Sequence, residues 1–177
     1  TMNFIPAQDE TRLRAAASGV LPNGKPVVVN ADGTVSVVSG IDQSVGSAAV
    51  FESATTDLIS ATFDSNLNKV VIAYQDEGNS NYGTSVVGTV SGSSISFGTP
   101  AVFRSANSDF ISSTFDSNSN KVVIAFRDVG NSARGKAIVG TVSGTDISFG
   151  STEDFNSSEI NSTATTFDSN SNKVVIS

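Results

Sequence analysis

A ten-residue phrase returns three times at a fixed interval. Phe63 opens FDSNLNKVVI, and Phe115 and Phe167 each open FDSNSNKVVI. The intervals are 115 − 63 = 52 and 167 − 115 = 52 residues. Near-identity at one period of this size marks a repeat architecture, in which each unit buries its apolar surface against its neighbours. The correspondence extends beyond the phrase. A shift of 52 lays Ala49-Val50-Phe51 on Ala101-Val102-Phe103, and Gly46 on Gly98 and Gly150. It lays Val38-Ser39-Gly40 on Val90-Ser91-Gly92 and on Val142-Ser143-Gly144, and it fades upstream of about residue 33.

Within one unit the apolar residues alternate, which is the period of strands. Leu58 to Asp64 reads as a first strand, Ser65 to Asn68 as its turn, and Lys69 to Gln75 as a second strand. A polar loop runs from Asp76 to Gly83. Thr84 to Val90 is a third strand, and Ser94 to Phe103 a fourth, interrupted at Gly98-Thr99-Pro100. Proline has no N–H to give to a central ladder, so Pro100 belongs at a bend or on an outer strand. In the second strand Val70, Ile72 and Tyr74 share one face, with Val71 and Ala73 on the other. Two apolar faces suit a sheet stacked between neighbouring sheets. The expected fold class is therefore all-β: four-stranded repeats of 52 residues, packed as β-propeller-like blades. A β-solenoid and a row of tandem small β-sandwiches are the alternatives.

The expected layout is a leader or anchor at 1–24, a degenerate partial repeat at 25–52, repeats at 53–104 and 105–156, and a truncated repeat at 157–177. In the leader, Gln8 to Ser18 suits a short helical turn, and Pro22-Asn23-Gly24 signals a turn. Lys25 to Asn30 and Thr34 to Ser39 read as a hairpin about Ala31-Asp32-Gly33. The partial repeats at the two ends together amount to roughly one more blade. Their open edges are expected to recruit another chain, by head-to-tail pairing that gives oligomers or filaments.

Composition removes several function classes. The 177 residues carry a formal charge of −7, which opposes a nucleic-acid partner. There is no cysteine, so disulfides and thiolate metal sites are excluded. There is no histidine either, which removes Ser-His and Cys-His nucleophile systems. No apolar run is long enough to span a bilayer as a helix. Asp76 and Asp128 occupy equivalent loop positions, formally a carboxylate pair, but equivalence between repeats points to a structural role. No enzymatic activity is expected.

The metal-like pattern is D-x-N-x-N: Asp64, Asn66 and Asn68; Asp116, Asn118 and Asn120; Asp168, Asn170 and Asn172. Alternate oxygen side chains in a tight loop are how calcium loops begin. Here Lys69, Lys121 or Lys173 stands where such a loop has glycine, and no acid follows at its twelfth position. The competing reading is a turn in which the side chains bond nearby backbone N–H groups. Calcium is the one cofactor the sequence raises. A second candidate surface is the loop after the second strand: Asp76, Asn79 and Tyr82 in one copy, Asp128, Asn131 and Arg134 in the next. Amides beside an aromatic ring suit a surface glycan, and an ordinary exposed loop is the alternative. Asn156 and Asn161 fit the N-glycosylation acceptor pattern.

The phrases NKVVIAYQD, VGTVSG, ISFGTPAVF and LPNGKPVVVNADGTVSVV resemble repeats in tail-fibre and virion-surface proteins of aquatic bacteriophages, especially those of cyanobacteria. The resemblance covers roughly residues 20 to 177. It implies propeller-like blades and an extracellular, structural or adhesive role at a virion surface. The expected function is thus a self-assembling β-repeat subunit of a fibre or filament, with a glycan-binding propeller module as the alternative.

Overall fold

The computed structural model describes residues 16–21, 23–24, 27–38 and 46–177. The chain divides into two compact units, Thr1–Ser44 and Val45–Ser177. The described residues of both units are all-β, with antiparallel sheets, none closed into a barrel.

The first unit contains the expected hairpin. Strands β1 (Val27–Val29) and β2 (Val35–Val37) pair Val27 with Val37 and Val29 with Val35. Asp32 turns the chain by accepting the Thr34 N–H at 3.0 Å, and Gly33 takes φ of 82°. Ala17 makes a parallel bridge to Val35. The rest of the expected helical turn, Gln8 to Arg14 with Ala15, lies outside the described residues, as does Pro22.

The second unit contains β3 (Thr56–Asp64), β4 (Lys69–Asp76), β5 (Tyr82–Ser91), β6 (Ser94–Phe97) and β7 (Ala101–Asp116). It continues with β8 (Lys121–Asp128), β9 (Arg134–Ser143), β10 (Asp146–Phe149), β11 (Glu153–Glu159), β12 (Thr165–Asp168) and β13 (Lys173–Ile176). The ladder runs β3-β4-β5-β7-β8-β9-β10, with β6 also on β5 and β11 also on β9. Strands β12 and β13 form a separate hairpin.

The strand ends fall near the expected positions, and Pro100 lies in the break between β6 and β7. The difference is β7. The expected fourth strand of one copy and first strand of the next are a single strand of 16 residues. Its opening half pairs with β5, Ala101 opposite Ser85 and Asn107 opposite Tyr82. Its closing half pairs with β8, Ser108 opposite Asp128 and Asp116 opposite Lys121. A bulge between Asp109 and Ser112 and a φ of 47° at Phe110 follow this change of partner. The same bulge and a φ of 52° occur at Asp57–Ser60 and Leu58, fifty-two residues earlier. Bulges of this kind bend a strand and re-aim its side chains.

The core lies between the β3-β4-β5 sheet and the sheet formed by the closing half of β7 with β8, β9 and β10. Val71, Ala73 and Val87 from the first join Ile111, Phe115, Val122, Ile124 and Phe126 from the second in one buried cluster. Phe103 tilts against Phe126 with ring centroids 5.2 Å apart and meets Phe149 edge-on at 5.9 Å. Phe51 makes the same two contacts with Tyr74 and Phe97, at 5.2 and 5.9 Å. Offset and edge-on aromatic pairs of this spacing add roughly 0.5–1.5 kcal/mol each beyond the area they bury.

Candidate interaction faces and loops

Strand alternation gives each sheet two faces. One carries Phe63, Val70, Ile72 and Tyr74; the other carries Val71, Ala73 and Gln75. We call them the front and the back. The front of the second sheet, with Phe115, Val122, Ile124 and Phe126, meets the back of the first.

Hydroxyl groups stitch this junction where the first strands of two sheets meet. Ser60 Oγ accepts the Ser113 N–H at 2.9 Å and lies 2.9 Å from Ser113 Oγ. One junction later, Ser112 Oγ accepts the Thr165 N–H at 3.0 Å and lies 2.9 Å from Thr165 Oγ1. A second tie sits at the end of the second strand. Gln75 Nε2 donates to Asn107 Oδ1, the Ser108 carbonyl and Asp109 Oδ1, at 2.9, 3.1 and 2.8 Å. Its counterpart Arg127 donates to the Ile160 carbonyl at 3.3 Å and pairs with Asp109. The Arg127 guanidinium also stands 4.4 Å over the Phe110 ring. Sequence reading missed this shared task, because the partners that tie one sheet to the next lie 32 to 34 residues away.

Equivalent apolar residues of the repeats differ in exposure. Phe63 is 53% exposed, whereas Phe115, at the same place in the phrase, is 9% exposed. Ile59 is likewise open while Ile111 is buried. At the other end Val175 is 50% exposed, whereas Val71 is wholly buried.

The D-x-N-x-N segments form turns. Asp64 Oδ1 accepts the N–H groups of Asn66 and Leu67 at 2.9 and 3.0 Å. Asp116 does the same for Asn118 and Ser119, and Asp168 for Asn170 and Ser171. The Ser119 and Ser171 hydroxyls donate to the second carboxylate oxygens at 2.7 and 2.6 Å. These bonds, the Ser119 or Ser171 hydroxyl foremost, hold the Asp116 and Asp168 carboxyls below the usual range. Asn68, Asn120 and Asn172 take φ of 53° to 55°, a left-handed conformation Asn tolerates better than most residues. Lys69 and Lys121 turn away from the turn and donate to Thr89 and Thr141 Oγ1, each at 2.8 Å. Asn66, Asn118 and Asn170 are exposed. Among the described residues no three acidic side chains gather as a metal site.

The loop candidates separate by burial. Asp76 and Asp128 lie buried at the loop bases, Asn79 is exposed, and Tyr82, Asn131 and Arg134 are half-buried. Asp128 pairs with Arg104, 2.9 Å away, while neither carboxylate oxygen accepts a well-directed hydrogen bond. The residue corresponding to Arg104 in the first copy is Glu52, which receives the Tyr74 hydroxyl at 3.5 Å. Burial, then the charges of Glu52 and Asp76, pushes the Tyr74 phenol well above its usual range. Arg134 donates to Asp154 at 3.2 Å, and Lys136 donates to the same carboxylate. Asn156 and Asn161 are exposed; Asn156 Oδ1 accepts the Ser158 N–H at 2.8 Å.

No protein-family model, no curated protein and no solved structure matches this chain. Among the described residues no helix is long and apolar enough to cross a membrane.

Proposed function

We propose that this chain is a structural, non-catalytic β-repeat subunit that builds an extracellular assembly, such as a fibre or filament at a virion surface, by packing sheet on sheet. Its sheets are read as propeller-like blades. The next blade begins in β7, whose closing half pairs with β8. The observation that carries the proposal is the contrast between Phe63 and Phe115. One residue of one phrase is core in the second sheet and half-open in the first. A half-open ring of this size beside an open Ile59 is an apolar surface suited to a partner.

Two further features support the reading. The front-to-back junction recurs through Ser60–Ser113 and Ser112–Thr165, so the geometry of one contact serves the next. The polar ties, such as Gln75 to Ser108 and Arg127 to Ile160, belong to the chain's own backbone and leave few convergent groups for chemistry on a substrate. The resemblance to phage fibre repeats supplies the extracellular setting.

The test is the mass of the intact chain in solution, by light scattering over a dilution series. Mass rising with concentration, with rods or rings in electron micrographs, is the expected result. A compact monomer at every concentration overturns the proposal.

A further inference from the structure

The two full copies of the repeat part company in charge at one cluster. Arg104, Asp128, Arg134, Lys136 and Asp154 carry 3 − 2 = +1, whereas the residues 52 positions earlier, Glu52, Asp76, Tyr82, Thr84 and Val102, carry −2. Three of the ten Lys and Arg residues thus gather at one place in a chain of net charge −7. The register puts them together. Phe126, on the front of the second sheet, lies opposite Lys136, and Asp128 lies opposite Arg134. Lys136 in turn lies opposite Asp154. Arg104 reaches Asp128 from the opening half of β7, which is paired with β5 of the first sheet. We infer that this cluster binds a carboxylated saccharide. The inference goes beyond the assembly reading and is independent of it, since one chain supplies all five residues.

The chemistry of the ligand follows from the hydrogen bonds left over. Arg104 Nη2 stands 2.9 Å from Asp128 and Arg134 Nη1 stands 3.2 Å from Asp154, whose carboxylate also receives Lys136. The Nε–H groups of Arg104 and Arg134 are buried and have no partner among the described residues, and neither oxygen of Asp128 accepts a well-directed bond. Buried polar groups are satisfied in all but a few cases, so orphans gathered at one junction call for a polar occupant. Arg104, Arg134 and Asp154 are partly exposed and can meet it directly, while Asp128 is wholly buried and holds Arg104 in place. A ligand here must accept from guanidinium groups and donate to a carboxylate. Phosphate chains present charged oxygens that only accept, and the two aspartates repel them. A sugar acid does both: its carboxylate takes paired bonds from an arginine, and its hydroxyls donate to Asp154.

The first copy supplies the control. Arg134→Tyr, Lys136→Thr and Asp154→Val together give the second sheet the residues Tyr82, Thr84 and Val102, with which the first sheet folds. Arg134→Gln alone is the second variant, at a partly exposed side chain. Urea unfolding checks that both fold. The full-length chain is titrated by calorimetry with oligosaccharides of glucuronate, of galacturonate and ending in sialic acid, each beside its methyl ester. The ester keeps the hydroxyls and removes the charge. Saturable binding of at least one acid is expected. It should weaken by roughly tenfold or more for the ester and for Arg134→Gln, as the loss of a charge-assisted hydrogen bond implies. It should vanish in the triple variant, and fall with added salt in the parent chain.

If no acid of the panel binds the parent chain, the inference fails, whatever mass light scattering gives. If acid and ester bind alike, the carboxylate is not what the cluster reads. If the triple variant folds and binds as tightly as the parent, the site lies elsewhere. Inorganic polyphosphate binding more tightly than every sugar acid would make the cluster a general anion site and overturn the inference as well.

Discussion

Phe103 packs against the bare Cα of Gly83: a Cβ there would stand 2.5 Å from Phe103 Cζ and 2.9 Å from Ser108 Oγ. The ring holds β7 onto β5 and is itself part of the core. Gly83→Ala is therefore expected to lower stability by roughly 1–3 kcal/mol, the range for an extra methyl forced into packed surroundings. Gly135 faces Phe155 in the same way, with a Cβ 2.6 Å from Cζ, but Phe155 is partly exposed and can move aside. Urea unfolding of the two alanine variants should rank Gly83→Ala as the more damaging. Equal midpoints would mean that Phe103 is free to yield.

The two phenylalanines that open the first two phrases predict unequal costs for one substitution. Phe115→Ala empties a buried site and should cost about 3–5 kcal/mol. Phe63→Ala removes a half-open ring and should cost about 1 kcal/mol or less. Thermal unfolding of each variant at low protein concentration separates the two.

Acid should weaken the turns. The Asp116 and Asp168 carboxyls titrate below their ordinary value of 3.8 in the folded chain, and so does Asp154, held down chiefly by its bond from Lys136. A lowered folded value means that the stabilisation is present above 3.8 and is lost as pH falls through the still lower folded values. Urea midpoints measured between about pH 5 and pH 2 should fall, and Asp116→Ala should flatten that fall. Calcium should leave the midpoint at neutral pH unchanged, since the Asp oxygens already accept backbone N–H groups. A rise with added calcium would reinstate the metal reading.

Arg104 is the one cation paired with the fully buried Asp128 among the described residues. Removing one partner of a buried pair costs about 3–5 kcal/mol, but Arg104 is about one-third exposed and water screens part of this. Arg104→Ala is expected to cost roughly 1–3 kcal/mol, and adding Asp128→Asn should recover part of it. A double-mutant cycle with no coupling would show that the pair contributes nothing.

Much of the strand pattern was legible because it is local. Lys69, Lys121 and Lys173 each begin a strand after an Asp-Asn turn, and Pro100 marks a break, as their chemistry requires. What escaped sequence reading involves residues far apart or chemically silent ones. Nothing in Leu58 or Phe110 announces a positive φ, since bulky side chains disfavour it. The tie from Gln75 to Asn107 needs the sheets to be stacked before it exists. The loop reading treated Asp76 and Asp128 as surface ligands in company with Asn79 and Asn131. A loop's polarity says nothing of which way its first carboxylate turns, and both turn inward.

Strand β7 has a consequence for how such a chain is made. The period in the sequence invites a cut between residues 104 and 105, yet that point lies inside a continuous strand. A nascent chain that has emerged only as far as Gly98 has made β3 to β6 but lacks the opening half of β7 that pairs with Tyr82 to Ser85. The residues that supply it lead directly into the strand that opens the next sheet. Each sheet is therefore finished by the act of beginning its successor. A protease looking for a joint between the two copies meets a paired ladder instead of a linker.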